Sequence, residues 1–182
     1  MNQVVPLELN SFQYIVSNHA VTEKADGERY FLYIDDDGKC YQIAKSKEVI
    51  DLDITHTMKN ALLDCEYMPE LKKYMVFDAL IIDNKDISGE SLEVRVKDIS
   101  KYNLVAKLNT KSLSKSLSKS PSKSPSKSTI TIQEKKQHIP TEKTTIFDLS
   151  KTVYKAKYPY DLDGLIYTPI DKGYFSKVYK WK

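Results

Sequence analysis

The feature that most restricts how this chain can fold is a four-residue repeat, which runs KSLSKSLSKSPSKSPSKS over residues 111–128. The repeat holds five lysines and no acid, and its prolines and low hydrophobicity leave too little apolar surface to offset the entropy lost on ordering. We therefore predict that residues 108–129 form a disordered insertion within one domain spanning residues 1–182. A phosphorylated or RNA-contacting tail is the alternative role for this segment.

The formal net charge of +3 depends on that repeat. Without its five lysines, 23 basic residues stand against 25 acidic ones, so the remainder of the chain is slightly acidic. The net charge therefore gives no support for general attraction of the folded part to nucleic acid, and any phosphate contact has to come from a local cluster. Only Arg29 and Arg95 are arginines, which raises the question of what those two positions require.

The sequence carries no signal for a membrane or for secretion. No apolar run approaches the roughly 20 residues that a membrane-spanning helix needs, and MNQVVPLELN at the N-terminus lacks the basic-then-apolar layout of a signal peptide. We therefore expect Cys40 and Cys65 to be reduced thiols in a cytosol-like compartment. The spacing of the cysteines and the three histidines predicts no structural zinc site.

Strand patterns dominate both sides of the repeat. Apolar runs bounded by turn residues predict strands at residues 30–34, 40–44, 61–67, 74–82, 164–168 and 177–182. Two helices are predicted, at residues 88–107 with Ser88 as the N-cap and at residues 144–157. Because short turns such as DDDGK join consecutive strands, we predict an α+β fold with largely antiparallel sheets flanked by helices.

Several charged residues fall inside strands that should otherwise be apolar. Asp64 and Glu66 share one face of a strand because side chains alternate. Asp163 opens another strand, and Lys180 and Lys182 share a face of the last one. Isolated charges are costly to bury, so these groups should be paired, bind a metal or line a cleft. The alternative for any one strand is an exposed sheet face with ordinary alternating charges.

Lys24 and Arg29 add two cations to this set, within the segment EKADGER. Facing one groove, the three acids and four bases would suit a nucleotide phosphate with Mg²⁺. An amine such as Lys24 attacks phosphorus only when neutral, and cations such as Lys180 or Lys182 favour that form. Gly27 permits a tight turn close to the nucleotide, and Arg29 offers a planar fork for ribose hydroxyls or phosphate.

Five segments resemble, in the correct order, the motifs of the covalent nucleotidyltransferase superfamily, which contains mRNA capping guanylyltransferases and ATP-dependent ligases. They are EKADGER (23–29), LLDCEY (62–67), YMVFDAL (74–80), DGLIYTP (163–169) and VYKWK (178–182). The segments DGLIYTP and KWK resemble the capping branch, and VTEKADGERYFL is most similar to the trifunctional capping enzymes of large DNA viruses. The resemblance implies a nucleotidyltransferase domain of the ATP-grasp-like, DNA ligase and capping enzyme type.

The resemblance also implies a reaction and a role for each site residue. Lys24 would attack the α-phosphate of GTP, release pyrophosphate and form a lysyl-N–GMP intermediate, from which GMP passes to the 5′-diphosphate end of RNA. The other implied roles are ribose binding by Arg29 and Glu66, stacking on guanine by Phe77, binding of Mg²⁺ or Mn²⁺ by Glu66 and Asp163, and stabilisation of the α-phosphate charge by Lys180 and Lys182. A core phenylalanine is the alternative for Phe77.

Partners and location follow from the same resemblance. It implies GTP and the RNA 5′ end as ligands, together with triphosphatase and methyltransferase domains or subunits. It also implies an OB-fold domain, which we do not find within residues 1–182. For a viral protein of this kind the expected location is the cytoplasm, in a viral factory or a virion.

Two positions depart from the usual motifs. Cys65 stands where a glycine is usual, so the backbone has to accommodate a side chain there. Lys45 or Lys47 would have to replace an arginine that a strand after the first motif usually offers. Two other functions stay open: the adenylation domain of an ATP-dependent polynucleotide ligase, and a catalytically silent module with the same fold.

Overall fold

The computed structural model of the protein describes residues 2–102, 104 and 130–182. The insertion predicted at residues 108–129 lies outside the described residues. In chain order the elements are β1 (Val4–Pro6), α1 (Phe12–Asn18), β2 (His19–Ala25), β3 (Glu28–Ile34), β4 (Lys39–Ile43), β5 (Val49–Thr55), β6 (Ala61–Met68), β7 (Lys73–Ile82), β8 (Lys85–Asp86), α2 (Leu92–Ser100), β9 (Thr131–Glu134), α3 (Ile146–Lys155), β10 (Leu162–Pro169) and β11 (Val178–Trp181).

The strands form two sheets. The small sheet has the order β1–β11–β10–β2, in which β1 is parallel to β11 and the other neighbours are antiparallel. The large sheet has the order β5–β4–β3–β6–β7–β8 with antiparallel neighbours, and β9 pairs parallel to β7. The predicted α+β class and the largely antiparallel sheets are therefore confirmed.

Every predicted strand corresponds to an observed one, but β1, β2, β5, β8 and β9 were not predicted. The most important of these is β2, which carries Lys24. Thr22, Glu23 and Lys24 interrupt its apolar run, so the segment does not read as a buried strand. Glu23 is nevertheless only 4% exposed. Its carboxylate accepts hydrogen bonds from Thr22 and from the Tyr160 hydroxyl and faces the Lys135 ammonium. These partners make the burial of a charge tolerable.

Helix α2 begins later than predicted. Its N-cap is Ser91, whose hydroxyl accepts the Val94 N–H, and the prediction of Ser88 as the N-cap is wrong. The Ser88 carbonyl instead accepts the backbone N–H of Tyr174 at 2.7 Å, which commits this residue to a turn.

The other helix boundaries also have local causes. Helix α2 ends at Ser100, short of residue 107, because the Lys101 N–H bonds to the Ile99 carbonyl in a tight turn. The second predicted helix is confirmed as α3. It begins with a capping box, in which Thr145 and Asp148 bond to each other's backbone N–H. None of the helices that the structure describes is long and apolar enough to cross a membrane.

Each sheet has its own apolar core. The large sheet buries side chains that include Leu32, Leu63, Val76 and Ile99. The small sheet packs one face under α1 and α3, through Ile15, Val21, Ile146, Val153, Leu165, Tyr167 and Tyr179. Because strand side chains alternate, the residues between these on β2, β10 and β11 face the opposite way, towards the large sheet.

Candidate active site

A cavity of about 260 Å³ lies between the two sheets. It is lined by Asn2, Val4, Thr22, Lys24, Arg29, Glu66, Phe77, Lys135, Gln137, Ile166, Thr168, Val178 and Lys180. Five of the seven predicted site residues belong to this lining, namely Lys24, Arg29, Glu66, Phe77 and Lys180. Strand alternation explains the small-sheet wall, since Thr22 and Lys24, Ile166 and Thr168, and Val178 and Lys180 each lie two positions apart.

A larger cavity, of about 640 Å³, has the opposite character. Its described lining includes Asp26, Glu70 and Asp161 with two tyrosines, and no lysine or arginine. An acidic wall repels phosphate, so the smaller cavity, with its four cationic side chains, is the candidate nucleotide site.

Lys24, Asp163 and Lys182 form one charged cluster at the cavity. The Oδ2 atom of Asp163 lies 2.5 Å from Lys24 Nζ and 2.7 Å from Lys182 Nζ. The hydrogen bonds from Lys182 and then Lys24 lower the pKa of Asp163 to about 2. The same contact with Asp163 raises the pKa of Lys182. Asp163 and Lys182 are not part of the cavity lining. Asp163 contacts Lys24, which lines the cavity, and Lys182 contacts Asp163.

A bulge in β10 creates this arrangement. The register between β10 and β2 shifts between Leu162 and Leu165, so Asp163 and Gly164 are left out of regular pairing. Gly164 has φ +107, and a Cβ built on it would lie 1.9 Å from the Trp181 carbonyl oxygen. Only glycine fits here, and the close approach brings the end of β11, with Lys182, beside Asp163.

Glu66 is held by two donors on opposite sides. The Gly27 N–H donates to Glu66 Oε1 at 3.3 Å, and Lys135 Nζ lies 3.2 Å from Glu66 Oε2. Lys135 is 3% exposed and also lies 3.8 Å from a Glu23 oxygen, so it bridges two carboxylates. Lys135 was not predicted as a site residue, and its sequence gives little signal, since it directly follows the short, mostly polar strand β9.

Phe77 occupies a second bulge. On β7, Asp78 pairs with Asp64 of β6 and Val76 pairs with Cys65. Phe77, between them, therefore has no partner on β6. The bulge turns its ring into the cavity, so Phe77 is not an ordinary core residue. Its carbonyl accepts the Gln137 side-chain N–H at 3.2 Å, and the Arg29 guanidinium carbon lies 5.3 Å from the ring centroid, in cation–π range.

Asp64 does not face the groove as predicted. It is completely buried behind Arg29, whose Nε and Nη2 donate to its two oxygens at 3.0 and 2.5 Å. Burial alone would lower the pKa of Arg29, but the ion pair with Asp64 outweighs it and raises this pKa. The carboxylate therefore fixes the guanidinium at the cavity wall instead of contacting a ligand itself.

The two departures from the usual motifs have different outcomes. Cys65 is buried in the core of the large sheet, where its thiol donates to the Tyr30 carbonyl at 3.3 Å, so the backbone accommodates the side chain. Lys45 and Lys47 lie exposed in the turn between β4 and β5, and neither lines the cavity. The expectation that one of them replaces an arginine at the site is therefore wrong for this structure.

The carboxylates suit a divalent cation bound together with a nucleotide. No group of three or more His, Cys, Asp or Glu side chains within the described ranges could hold a metal by itself. Mg²⁺ is usually bound through one or two carboxylates, with phosphate and water oxygens completing its shell. Glu66 at the cavity wall and Asp163 beside Lys24 are hard oxygen donors of that kind.

Relatives at low identity cover most of the chain. A "Probable mRNA-capping enzyme" of Acanthamoeba polyphaga mimivirus is 27% identical over 93% of this chain and 18% of its own length. An "mRNA-capping enzyme" of African swine fever virus is 25% identical over 89% and 17%, and one of Caenorhabditis elegans is 25% identical over 91% and 28%. The chain thus spans less than a fifth of the two viral relatives.

The fold also has a solved counterpart. A chain from a structure-function study of Lig E DNA ligases superposes with a TM-score of 0.57 at 14% identity, over 100% of this chain and 68% of that one. The likeness concerns the fold alone, which this chain shares with about two thirds of that ligase chain.

The family is defined by a sequence profile. The profile described as "mRNA capping enzyme, catalytic domain" matches residues 3–182, which include both walls of the cavity and the charged cluster beside it. The chain therefore belongs to the family of mRNA capping enzyme catalytic domains.

Proposed function

We propose that the protein is an mRNA guanylyltransferase domain, which transfers GMP from GTP to the 5′-diphosphate end of RNA through a lysyl-N–GMP intermediate. The observation that carries the proposal is Lys24, a lysine that lines the cationic cavity of about 260 Å³ with Asp163 and Lys182 beside it. In the first step Lys24 Nζ bonds to the α-phosphorus, and the bond to the pyrophosphate oxygen breaks. In the second, an RNA diphosphate oxygen displaces Nζ.

Lys24 has to lose a proton before it attacks. Asp163 is not the base, because a carboxylate with a pKa of about 2 cannot hold that proton near neutral pH. Lys24 keeps 21% of its side chain exposed, so its proton can be released to the bulk solvent before the attack. We assign Asp163 the role of orienting Nζ towards the phosphorus.

The cations around Lys24 would stabilise the transition state. Lys180 lines the cavity and Lys182 lies within 2.7 Å of Asp163, so both ammonium groups are near an α-phosphate bound at Lys24. Fixed charges of this kind act where negative charge increases during the displacement. Glu66 and Asp163 would hold Mg²⁺ or Mn²⁺, which neutralises phosphate charge when bound.

The opposite wall would hold the nucleoside. Phe77 offers a ring face for the guanine base, while Arg29 covers the ring from one side. Arg29 and Glu66 would bind the ribose.

Triphosphatase, methyltransferase and OB-fold domains would accompany this domain, either on one longer polypeptide or as partner subunits. The greater length of the viral relatives is consistent with this part of the proposal. Both described cysteines are free and buried, in keeping with the cytoplasmic location we propose.

Labelling with nucleotide tests the proposal. The protein is incubated with GTP or ATP labelled at the α-phosphate, with Mg²⁺ or Mn²⁺, and the covalent adduct is measured after denaturation. We expect an acid-labile adduct with GTP. An adduct with ATP alone would instead support a polynucleotide ligase, the candidate that the fold likeness to DNA ligases favours. Labelling by neither nucleotide would support a catalytically silent module.

A further inference from the structure

The only two arginines of the chain bind two aspartates that lie directly opposite each other. Asp64 on β6 and Asp78 on β7 are paired in register, and both are buried. Arg29 donates twice to Asp64, and Arg95 donates twice to Asp78 at 2.6 and 2.9 Å. Because two neighbouring buried carboxylates repel each other, each needs a fixed, bidentate counter-charge, which lysine cannot provide.

Both ion pairs are connected to the loop between β10 and β11, residues 170–177. The Lys172 carbonyl accepts a hydrogen bond from Arg95 Nη1 at 3.0 Å, and the Ile170 carbonyl accepts the Leu92 N–H at 2.8 Å. The Tyr174 N–H donates to the Ser88 carbonyl at 2.7 Å. The loop extends from the small sheet and is thereby fastened to the large one.

These contacts of the loop place Tyr174 behind the cavity wall, next to Arg29 and Asp64. Its side chain is 1% exposed, and its hydroxyl donates to Asp64 Oδ2 at 2.5 Å, beside the oxygen contact made by Arg29 Nη2. The hydroxyl oxygen also lies 3.4 Å from that Nη2 atom. Burial, reinforced by the charge of Asp64, raises the pKa of Tyr174, so the hydroxyl keeps its proton and remains a donor.

We infer that Tyr174 is a positioning residue, which fixes the Arg29 guanidinium at the cavity wall by orienting Asp64. Asp64 Oδ2 accepts from both Arg29 and Tyr174, so the tyrosine hydroxyl is one of the two donors that fix this carboxylate against the guanidinium. Arg29 Nη2 is also held directly, by Asn2 Oδ1 at 2.6 Å and by the Tyr174 hydroxyl oxygen at 3.4 Å. Arg95 holds the loop in place from its far end. The effect on nucleotide binding rests on the proposed function, whereas the effect on Arg29 itself does not.

The two arginines allow a test without any ligand. The side-chain Nε–H groups of Arg29 and Arg95 give separate signals in nitrogen-15 NMR, and an Arg29→Lys variant assigns them. In Tyr174→Phe we expect hydrogen exchange of the Arg29 Nε–H to become about tenfold faster, as for loss of one hydrogen bond to a charged group. The Arg95 Nε–H should be unchanged, which shows that the fold is intact. Tyr167→Phe, which removes a hydroxyl bonded to Ser150 on the other face of the small sheet, is the matched control.

A kinetic arm separates positioning from general stability. Tyr174→Phe should raise the half-saturating GTP concentration for adduct formation about tenfold and change the maximal rate less. In an Arg29→Lys background the same substitution should change it less than about twofold, because the residue through which Tyr174 acts is already lost.

Several outcomes would overturn the inference. They are unchanged exchange at Arg29, equal acceleration at both arginines, and additive kinetic effects in the double variant. If the wild-type protein forms no adduct, the proposed function fails, and the exchange measurement still decides the role of Tyr174.

Discussion

Lys24 and Asp163 lie 139 positions apart in the sequence, and their side chains meet at 2.5 Å across two neighbouring strands. The contact combines an amine able to act as a nucleophile with a carboxylate that stays ionised at all but very low pH. It also brings Lys182 to the same oxygen.

Removing the amine should abolish the covalent step. We expect Lys24→Ala to give no detectable GTP adduct, because no other described lysine both lines the cavity and contacts Asp163. Lys97→Ala, the same change on the exposed side of α2, should label like the wild type. Circular dichroism checks the fold of both variants, and an adduct persisting in folded Lys24→Ala would refute the nucleophile assignment.

Removing the cation next to Asp163 should act on the rate. We expect Lys182→Ala to slow adduct formation by about 10²-fold while GTP binding weakens much less, since the charge is needed most in the transition state. Single-turnover kinetics and equilibrium binding measure the two effects. Lys157→Ala is the surface control. Equal losses in rate and binding would show that Lys182 serves only ground-state binding.

The ionisation of Asp163 predicts an acid limb of stability. Its folded-state pKa is lowered from 3.8 to about 2, so its contribution is complete above pH 4 and is lost as the pH falls towards 2. Carbon-13 NMR of the carboxyl group should therefore titrate with a midpoint near pH 2. Asp163→Asn should lack the corresponding part of the acid-induced loss in urea unfolding. A midpoint near 4 would contradict the ion pairs with Lys24 and Lys182.

The bulge glycine should tolerate no side chain. Gly164→Ala puts a Cβ against the Trp181 carbonyl at a positive φ, so we expect a loss of about 3 kcal/mol or more in the free energy of unfolding. Adduct formation should fall with it, because the substitution displaces Asp163. Gly89→Ala is the matched control, since a Cβ there meets nothing within 4 Å. Chemical denaturation compares the two, and similar midpoints would count against the steric argument.

Shortening the predicted insertion should leave the site intact. Leu104 and Ile130 both pack on the core of the large sheet, so the segment between them starts and ends at one core. We expect replacement of residues 106–129 by a short Gly/Ser linker to preserve GTP labelling and change stability by less than about 1 kcal/mol. Loss of labelling in a folded variant would contradict this prediction, whereas normal labelling with impaired GMP transfer to RNA would support the RNA-contacting role.

The sequence predicted which residue types form the site better than it predicted where their side chains lie. Lys24 and Phe77 stand in recognisable motifs, and strand alternation predicts the common face of Glu66 and Asp64. Bulges break that periodicity, and for this reason neither the exposure of Phe77 nor the position of Asp163 follows from alternation.

Contacts between segments that are distant in sequence account for the other differences between prediction and structure. Glu23 and Lys135 are buried beside each other and beside other polar partners, and neither local sequence signals that burial. Ser88 is a good N-cap by local criteria, yet its carbonyl is bound to Tyr174, a residue that no local rule brings near it. Pairing between distant segments therefore overrides propensity at these positions.

The small sheet draws β1 and β2 from one end of the chain and β10 and β11 from the other. Most strands of the large sheet are contiguous in sequence and can pair as soon as residues 28–86 are available. During synthesis, β2 therefore cannot pair with β10 until residues 162–169 have left the ribosome. The cavity wall that carries Lys24 is completed last, so nucleotide reactivity would report the final step of folding.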